Sequence, residues 1–472
     1  APGSARLRSG DFRGTVGHGA IGDDRRSLNW SGGTLGGGGE TIIGADAVAS
    51  ISGLVNLAGG HGLINNGTIE QSGQGRIRVI ENTTSSITNG SGGEWNAAIA
   101  DGRSMAFPDA ANNVLHFVND GTITKSADNT RMRLGWINGT FNFTNIGVVD
   151  VLGGTLEMDY GESGSYSGEL NLAEDATLWF TSGTHEFTSE GSITQVGTIR
   201  VSGANTSVTF SKATTFDNVI LSGGSINAPA GLTVGSVTQS GGQFNTGESD
   251  LVFTETFAWS GGTHRGAGDT IVGDGLTLTM TGLVNLAGGH GLINNGTIEQ
   301  SDQGQIRVIE DTTSTVINAS GAQWNADIAN ARRMAYPNAS SNVLHFVNEG
   351  TITKSDSDNL MYLGWVNGTF NFTNNGVIDV LGGTLEIEGT SAILGPSGTV
   401  RLTTDGTTKP LLRQGALSIG GTLEVTLADG YAPAGGTTIR LIDYTSRTGA
   451  FSTITPPQGR TLTATYVADG MN

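Results

Sequence analysis

The feature that most constrains the fold of this chain is a long internal duplication. Residues 54–157 return as residues 283–386, at a constant offset of 229 positions and without a gap. Roughly three quarters of the paired positions are identical. A duplication of this length in one register is typical of repeat architectures, in which stacked units share a continuous core. A binding or structural surface is often built twice in such a protein, whereas a catalytic centre rarely is.

Composition points to short strands joined by tight turns. The chain holds 76 glycines in 472 residues, more than twice the usual share of about 7%. It has only 9 prolines and no Gly-X-Y period, which excludes collagen and proline-rich disorder. Its hydrophobic content of 36% is low for a compact globule but too high for a disordered chain. We therefore expect an all-β protein, and one solenoid in preference to several globular domains.

Charge and cysteine content exclude several partners. The 24 basic and 43 acidic residues give a formal net charge of −19. Nucleic acids and anionic membrane surfaces are not expected as partners, because phosphate binding needs clustered Lys and Arg. The chain has no cysteine, which excludes disulfides and thiolate metal sites. No apolar run approaches 18 residues, so we predict no membrane insertion of this segment.

Polar and apolar residues alternate over short stretches, the pattern of half-buried strands. An Asn-x-Gly motif followed by a β-branched pair recurs along the chain, and its first residue is Asn65, Asn119, Asn145, Asn294, Asn348 or Asn374. Asn and Gly tolerate left-handed backbone, so each motif predicts a sharp corner between strands. The motif spacing predicts coils of about 20–27 residues, with Asn side chains hydrogen-bonded along the solenoid axis.

These patterns divide the chain into six segments. Residues 1–27 are arginine-rich and lack apolar periodicity, so we interpret them as a flexible leader or N-terminal cap. The remaining segments are β-helix copy 1 (28–164), intervening coils (165–256), β-helix copy 2 (257–390), final coils (391–420) and a β-rich C-terminal cap (421–472). The cap would cover the open edge of the last coil, which is otherwise an aggregation hazard.

One stretch of each copy breaks the coil pattern, from Ser85 to Asn113 and from Ser314 to Asn342. We expect a projecting loop there, with a short helical turn over residues 96–105. Loops on a rigid scaffold usually carry binding specificity. The predicted binding residues are therefore Trp95, Arg103, Trp324 and Arg332. Trp136 lies outside the loop and is expected to pack on the core.

The corner motifs resemble those of secreted bacterial β-solenoid surface proteins, which include autotransporter passengers and filamentous adhesins. The resemblance is carried by Trp-Ser-Gly-Gly-Thr-Leu-Gly from Trp30, Ile-Asn-Asn-Gly-Thr-Ile from Ile64, and Phe-Thr-Asn-Ile-Gly-Val-Val-Asp-Val-Leu-Gly-Gly-Thr-Leu-Glu from Phe143. The segment from Ile439 is similar to the terminal region of such passengers. The resemblance covers roughly residues 28–472. It implies a right-handed parallel β-helix that is extracellular or located at the cell surface.

We therefore expect a structural or adhesive protein whose loops contact a glycan or a surface protein, with end-to-end or lateral self-association left open. A polysaccharide lyase or glycoside hydrolase is one alternative, and a subunit of an extracellular filament is another. The enzyme would use repeated carboxylates such as Glu70, Glu81, Asp150 and Glu157, or the cations Arg78, Arg103 and Lys125.

Alternation favours outward positions for most of these charged groups, where they serve solubility. No catalytic residue or metal ligand is assigned from the sequence. No cofactor is expected, and Ca²⁺ is the one ion considered.

Overall fold

The structure is a computed structural model that describes residues 5–7, 11–12, 19–21, 27–136, 138–195, 197–355 and 357–472. In these residues the secondary structure consists of strands, turns and bends, without a helix. The chain divides into two compact units, residues 1–230 (unit 1) and 231–472 (unit 2). Copy 1 of the duplication lies in unit 1 and copy 2 in unit 2. The predicted all-β class is confirmed.

Unit 1 is built from short strands separated by tight corners. In chain order they are β1 Ala5–Leu7, β2 Asp11–Phe12, β3 Gly19–Ile21, β4 Ser27–Trp30, β5 Gly33–Leu35, β6 Glu40–Ile43, β7 Val48–Ile51, β8 Leu54–Leu57, β9 Gly62–Asn65, β10 Thr68–Gly73, β11 Arg76–Val79, β12 Thr84–Asn89, β13 Glu94–Ile99, β14 Arg103–Ser104, β15 Ala106–Pro108, β16 Val114–Asn119, β17 Thr122–Lys125, β18 Arg131–Leu134, β19 Thr140–Asn145, β20 Val148–Val151, β21 Thr155–Tyr166, β22 Glu169–Leu172, β23 Thr177–Phe187, β24 Ser192–Gln195, β25 Thr198–Val201, β26 Ser207–Phe210, β27 Thr214–Leu221 and β28 Ser225–Asn227.

Unit 2 has the same construction. Its strands are β29 Leu232–Asn245, β30 Leu251–Phe253, β31 Thr256–Arg265, β32 Asp269–Val272, β33 Thr277–Met280, β34 Leu283–Ala287, β35 Gly291–Asn294, β36 Thr297–Asp302, β37 Gln305–Val308, β38 Thr313–Asn318, β39 Gln323–Ile328, β40 Arg332–Arg333, β41 Ala335–Pro337, β42 Val343–Asn348, β43 Thr351–Lys354, β44 Leu360–Leu363, β45 Thr369–Asn374, β46 Val377–Val380, β47 Thr384–Ile387, β48 Ser391–Leu394, β49 Thr399–Thr404, β50 Leu411–Ile419, β51 Thr422–Leu427, β52 Ile442–Gly449, β53 Thr453–Thr455, β54 Tyr466–Val467 and β55 Gly470–Met471.

Strands of successive coils pair in parallel, which makes each unit a β-solenoid. On one face of unit 1, β10 pairs in parallel with β7 on one side and with β13 on the other. The stacks β8–β11–β15 and β9–β12–β16 form two further faces. In unit 2, β33, β36, β39 and β43 stack in the same way. The predicted parallel β-helix is therefore confirmed.

Alternation along each strand sends apolar side chains into the coil and polar ones outward. In β19, Phe141 and Phe143 are buried while the intervening residues are half-buried. Inward rings stack from coil to coil: the centroids of Trp95 and Phe117 lie 5.3 Å apart, and those of Phe117 and Phe143 lie 5.5 Å apart. These distances match the spacing of neighbouring strands and the separations favoured by aromatic pairs.

Buried asparagines at the corners form the predicted hydrogen-bonded stack. In unit 1 the Nδ2 of Asn65 donates to Asn89 Oδ1 at 2.7 Å, Asn89 to Asn119 at 2.8 Å, and Asn119 to Asn145 at 2.7 Å. Unit 2 repeats the stack through Asn294, Asn318, Asn348 and Asn374. Within each stack, one side-chain amide donates a hydrogen bond to the next, so these buried polar groups are hydrogen-bonded although water does not reach them.

We expect Asn119→Ala to lower the free energy of unfolding by about 2 kcal/mol, because it leaves buried partners unpaired on both neighbouring coils. The Asn119 amide also donates to the carbonyl oxygen of Val148 at 3.0 Å. Urea denaturation followed by circular dichroism measures the change. Asn142→Ala is the matched control on the same face, since Asn142 points outward, and its cost should stay within about 0.5 kcal/mol. Equal costs for the two variants would contradict a stabilising role of the stack.

The predicted loop from Ser85 to Asn113 is instead part of the solenoid. Its residues form β12 to β15, and β13 pairs in parallel with β10 and β17. The helical turn expected over residues 96–105 is therefore wrong. The reason is period-2 alternation, which buries Trp95, Ala97 and Ile99 on one side of β13. Ser314 to Asn342 follows the same course in unit 2.

The two ends of the chain are described to different extents. Most of the predicted leader, residues 1–27, lies outside the described residues, and β1, β2 and β3 pair in parallel with β4, β5 and β6. At the C-terminus, parallel stacking continues past Gly421, since β51 pairs with β49 and β53 pairs with β51. Antiparallel pairing joins β55 to β52 and to β54.

Candidate functional site

The structure places the predicted tryptophans in the core. Trp95 and Trp324 are both 0% exposed. Their indole nitrogens donate to the buried amides of Gln71 and Gln300, each at 2.9 Å. Neither ring offers a face to a glycan, so the stacking role predicted for them is corrected to a structural one.

The predicted arginines lie at the surface. Arg103 on β14 is half-buried, and its counterpart Arg332 on β40 is exposed. Both point outward from the solenoid wall and not from a projecting loop. Arg103 belongs to a larger group of arginines on the same face of unit 1, whereas Arg332 lies in the corresponding region of unit 2.

Register between coils brings charged and aromatic side chains into columns on this face. In one column Ser104 pairs with Arg133, Arg133 with Glu157, Glu157 with Trp179, and Trp179 with Arg200. These residues sit on β14, β18, β21, β23 and β25. Outward side chains of β11 and β15 extend the same face toward the N-terminus. We call this surface the basic–aromatic face, and its members are Arg76, Arg78, Arg103, Phe107, Arg131, Arg133, Trp136, Glu157, Trp179 and Arg200.

Guanidinium groups lie against the aromatic rings of this face. The Cζ of Arg200 is 4.3 Å from the ring centroid of Trp179, and that of Arg131 is 6.0 Å from it. Arg133 lies 5.5 Å from Trp136. Arg76 lies 5.9 Å from Phe107. Such cation–π contacts fix the orientation of long side chains, so the charges are held in place before any ligand arrives.

Two carboxylates neutralise part of the charge. Glu157 is 5% exposed and accepts hydrogen bonds from Arg133, with 2.8 Å between Nε and Oε2, while the Nε of Arg131 lies 3.5 Å from the same oxygen. Asp109 lies 3.5 Å from the Nη1 of Arg78. These pairs occupy three of the six arginines.

The other three arginines, Arg76, Arg103 and Arg200, form no ion pair with any described residue. The Nε atoms of Arg76 and Arg200 are buried and lack a hydrogen-bond partner among the described residues. Burial, followed by the charges of Arg103 and Arg78, lowers the pKa of the Arg76 guanidinium. Arg76 therefore lies near two like charges, Arg103 and Arg78, of which only Arg78 has a carboxylate partner among the described residues, and such a surface favours an anion.

Copy 2 does not preserve this arrangement. Positions 76, 131 and 133 of copy 1 are arginines, and their counterparts are Gln305, Leu360 and Tyr362. The copy gains Arg333, which pairs with Glu388 and lies 4.8 Å from the ring centroid of Tyr362 and 5.4 Å from that of Trp365. The full set of arginines on this face is thus a property of unit 1, although the two copies share a backbone pattern.

The other charged residues singled out by the sequence do not form a second site. Lys125 is buried, and its Nζ donates to the carbonyl oxygen of Gly153 at 2.8 Å. Glu70 and Glu81 are exposed. His61 is buried with its Nε2 3.0 Å from Thr41 Oγ1, and His116 is exposed with its Nδ1 3.2 Å from Asn142 Nδ2.

The sequence interpretation missed Arg76, Arg131, Arg133, Trp179 and Arg200, and it assigned Trp136 to the core. Trp136 and Trp179 are both half-buried on the outer surface. The signal was the phase of alternation: in residues 177–180, Leu178 and Phe180 point inward, which sends Trp179 outward. The same phase buries Met132 and directs its two arginine neighbours outward.

Neither a metal centre nor a membrane-spanning helix is found where the chain is described. Those residues contain no group of three or more His, Asp or Glu side chains placed to hold a metal ion. They also contain no helix long and apolar enough to cross a membrane. No family model, curated protein or solved structure matches the chain. Function is therefore inferred from the geometry of the basic–aromatic face.

Proposed function

We propose that this protein is a secreted or cell-surface β-solenoid with a structural and adhesive role, and that it holds its ligand on the basic–aromatic face of unit 1. One observation carries the proposal: six arginines and two half-buried indoles lie on one face of unit 1, and three of these arginines have no carboxylate partner among the described residues. A chain with a net charge of −19 gains no general solubility from such a cluster. The resemblance of the corner motifs to secreted bacterial solenoids supports the extracellular location.

The solenoid wall suits adhesion because it presents these side chains on a rigid lattice. β18 is hydrogen-bonded to β14 on one side and to β21 on the other. Side chains on paired strands need little further ordering when a ligand binds, which reduces the entropic cost of association. A long, shallow, regular surface is also better matched to an extended polymer than to a small molecule, which usually needs a concave pocket.

A carbohydrate-active enzyme is the second candidate, and one observation favours it. Glu386 and Glu388 lie close together in unit 2, and burial raises the pKa of Glu386. A carboxyl group with a raised pKa beside a second carboxylate is the combination that glycoside hydrolases use. However, both side chains are buried, covered by Arg333 and Gln414, so a sugar cannot reach them in this conformation. The adhesive function is better supported.

Binding and turnover measured on the same samples test this proposal. The protein is incubated with neutral and acidic polysaccharides, retention is measured by biolayer interferometry, and released reducing ends and unsaturated products are assayed. We expect at least one polysaccharide to be bound, with no product above that of a heat-unfolded control. Turnover that Glu386→Gln abolishes would establish the enzyme instead. Failure to bind any polysaccharide would contradict the adhesive role.

A further inference from the structure

The charges of the basic–aromatic face and the hydroxyls beside it specify a class of ligand. Resting on the function proposed above, we infer that this face binds a linear acidic polysaccharide, laid along the solenoid axis across β11 to β25. The acidic groups, carboxylate or sulfate, meet Arg76, Arg103 and Arg200. The sugar hydroxyls meet a neighbouring column of threonines.

The choice of arginine points to a planar oxyanion. All six cations of the face are arginines. A guanidinium presents a fork of N–H donors that matches carboxylate and sulfate groups through two parallel hydrogen bonds, which an ammonium cannot do. The buried Nε atoms of Arg76 and Arg200 have no hydrogen-bond partner among the described residues. These two atoms are not accessible to a ligand, but neither guanidinium has a carboxylate partner among the described residues, so an oxyanion bound at the outer surface would supply the missing counter-charge.

The spacing of the arginines indicates an extended ligand. Arg76 lies on β11 and Arg200 on β25, five coil steps apart through β15, β14, β18, β21 and β23. At the usual separation of paired strands this corresponds to about 24 Å. A single acidic sugar cannot contact both ends, whereas a linear polymer lying along the axis can. Binding is then multivalent along one chain.

A column of hydroxyls runs beside the arginines. Arg131 is followed in the next three coils by Thr155, Thr177 and Thr198. All three threonines are half-buried on the outer surface. A hydroxyl both donates and accepts hydrogen bonds, so it complements sugar hydroxyls in any rotamer. Acidic polysaccharides carry both kinds of group, acidic and hydroxyl, at regular intervals, and the face offers a counterpart for each.

A nucleic acid fits the same face less well. Its bases would need open aromatic faces for stacking. The Trp179 ring already has Arg200 at 4.3 Å and Arg131 at 6.0 Å from its centroid, and Trp136 has Arg133 at 5.5 Å. The net charge of −19 also repels a polymer with a phosphate at every residue more strongly than a polysaccharide with sparser charges.

The test compares four probes on the full chain: polygalacturonate, dextran sulfate, unmodified dextran and single-stranded DNA. We expect both acidic polysaccharides to bind, dextran not to bind, and affinity to fall as salt is raised. The variant Arg76→Gln/Arg103→Gln/Arg200→Gln should weaken binding about 100-fold, since it removes three charge-assisted contacts. This triple variant keeps Arg131 and Arg133, the two arginines that pair with Glu157.

A matched variant removes the same charge elsewhere. Arg307→Gln/Arg447→Gln/Arg460→Gln lies in unit 2 and should weaken binding less than about threefold. Arg103→Lys/Arg200→Lys keeps the charge but loses the planar fork, and an intermediate loss is expected from it. Circular dichroism and urea midpoints confirm that each variant is folded. If the first variant were unfolded, the lysine variant alone would decide.

Several outcomes would overturn the inference: equal binding of dextran, equal losses in the two glutamine variants, or tighter binding of DNA than of either acidic polysaccharide. The proposed function fails on different grounds. If the protein bound only a neutral polysaccharide without turnover, the acidic ligand would be wrong while the adhesive role stood. Turnover, or the absence of binding to any polysaccharide, would remove the adhesive role itself.

Discussion

Replacing Trp95 by alanine is expected to lower the free energy of unfolding by about 3–5 kcal/mol. The indole is fully buried and its ring centroid lies 5.3 Å from that of Phe117, so its removal leaves a cavity between coils. It also leaves Gln71 Oε1 without the indole N–H that it accepts at 2.9 Å. The lost packing and the unpaired Gln71 oxygen both lower the free energy of unfolding. Urea denaturation, followed by circular dichroism, measures the change.

Trp136→Ala is the matched control, because it makes the same truncation on the outer face of the same copy. Trp136 is half-buried beside Phe107 and Arg133. Its removal should cost about 1 kcal/mol in stability and should weaken polysaccharide binding. If Trp95→Ala instead kept wild-type stability and lost binding, Trp95 would be a ligand contact and the burial of its side chain would be wrong.

The duplication supplies a second measurement in unit 2. Trp324 is buried against Phe346, with 5.3 Å between ring centroids, and donates to Gln300 at 2.9 Å. Trp324→Ala should therefore destabilise its unit by a similar amount. Since two units of one chain need not unfold together, hydrogen exchange resolved by peptide is the appropriate readout for both variants. Each variant should increase exchange in its own unit first.

Much of the fold could be predicted from the sequence because the information is local. The alternation of short segments predicts strands, and the Asn-x-Gly motifs predict corners, since both depend on neighbouring residues alone. The stack through Asn65, Asn119 and Asn145 also follows, because equivalent corners of successive coils must lie over one another. Duplication then extends these conclusions to unit 2.

The site could not be predicted to the same degree because it depends on register between coils. Arg133, Glu157, Trp179 and Arg200 become neighbours through offsets of 24, 22 and 21 residues, which differ from coil to coil. A constant period would misplace at least one of them. The residues 85–113 were predicted to project as a loop because Gly, Pro and Asn obscured their alternation. Trp95, within this stretch, points inward, whereas Trp179, outside it, points outward.

Buried histidines are the feature of the core that couples its stability to pH. In unit 2, His264 Nε2 donates to Gln239 Oε1 at 2.8 Å, Thr270 lies 2.6 Å from His264 Nδ1, and His290 Nε2 lies 2.9 Å from Thr270. The His264 ring stacks on Trp259 with 3.8 Å between centroids.

In unit 1, His185 is buried beside Tyr166 and Phe180. Burial is the largest influence on the pKa of all three imidazoles and outweighs the charge of Asp250 near His290, so protonation would place a poorly solvated charge in the core.

Acidification is therefore expected to destabilise both units. Burial lowers the pKa of His185 and that of His290 to about 4, and it lowers the pKa of His264 well below the usual value. In the unfolded chain these imidazoles bind protons near pH 6.5, whereas in the folded chain they do not. Their neutral form therefore makes its full contribution to the free energy of unfolding only above pH 6.5. That contribution falls as the pH decreases from about 6.5 to 4, by about 3 kcal/mol for each of His185 and His290.

Urea midpoints measured between pH 7.5 and pH 4.5 test this expectation. His290→Gln removes an ionisable group while keeping a polar end near Thr270, so it should flatten the pH dependence of unit 2 while lowering its stability at pH 7.5. His116→Gln changes an exposed histidine and should leave the pH dependence unaltered. An unchanged slope in His290→Gln would mean that His290 is already charged, or solvated, in the folded state. In that case the acid sensitivity of unit 2 would have to come from other groups than His290.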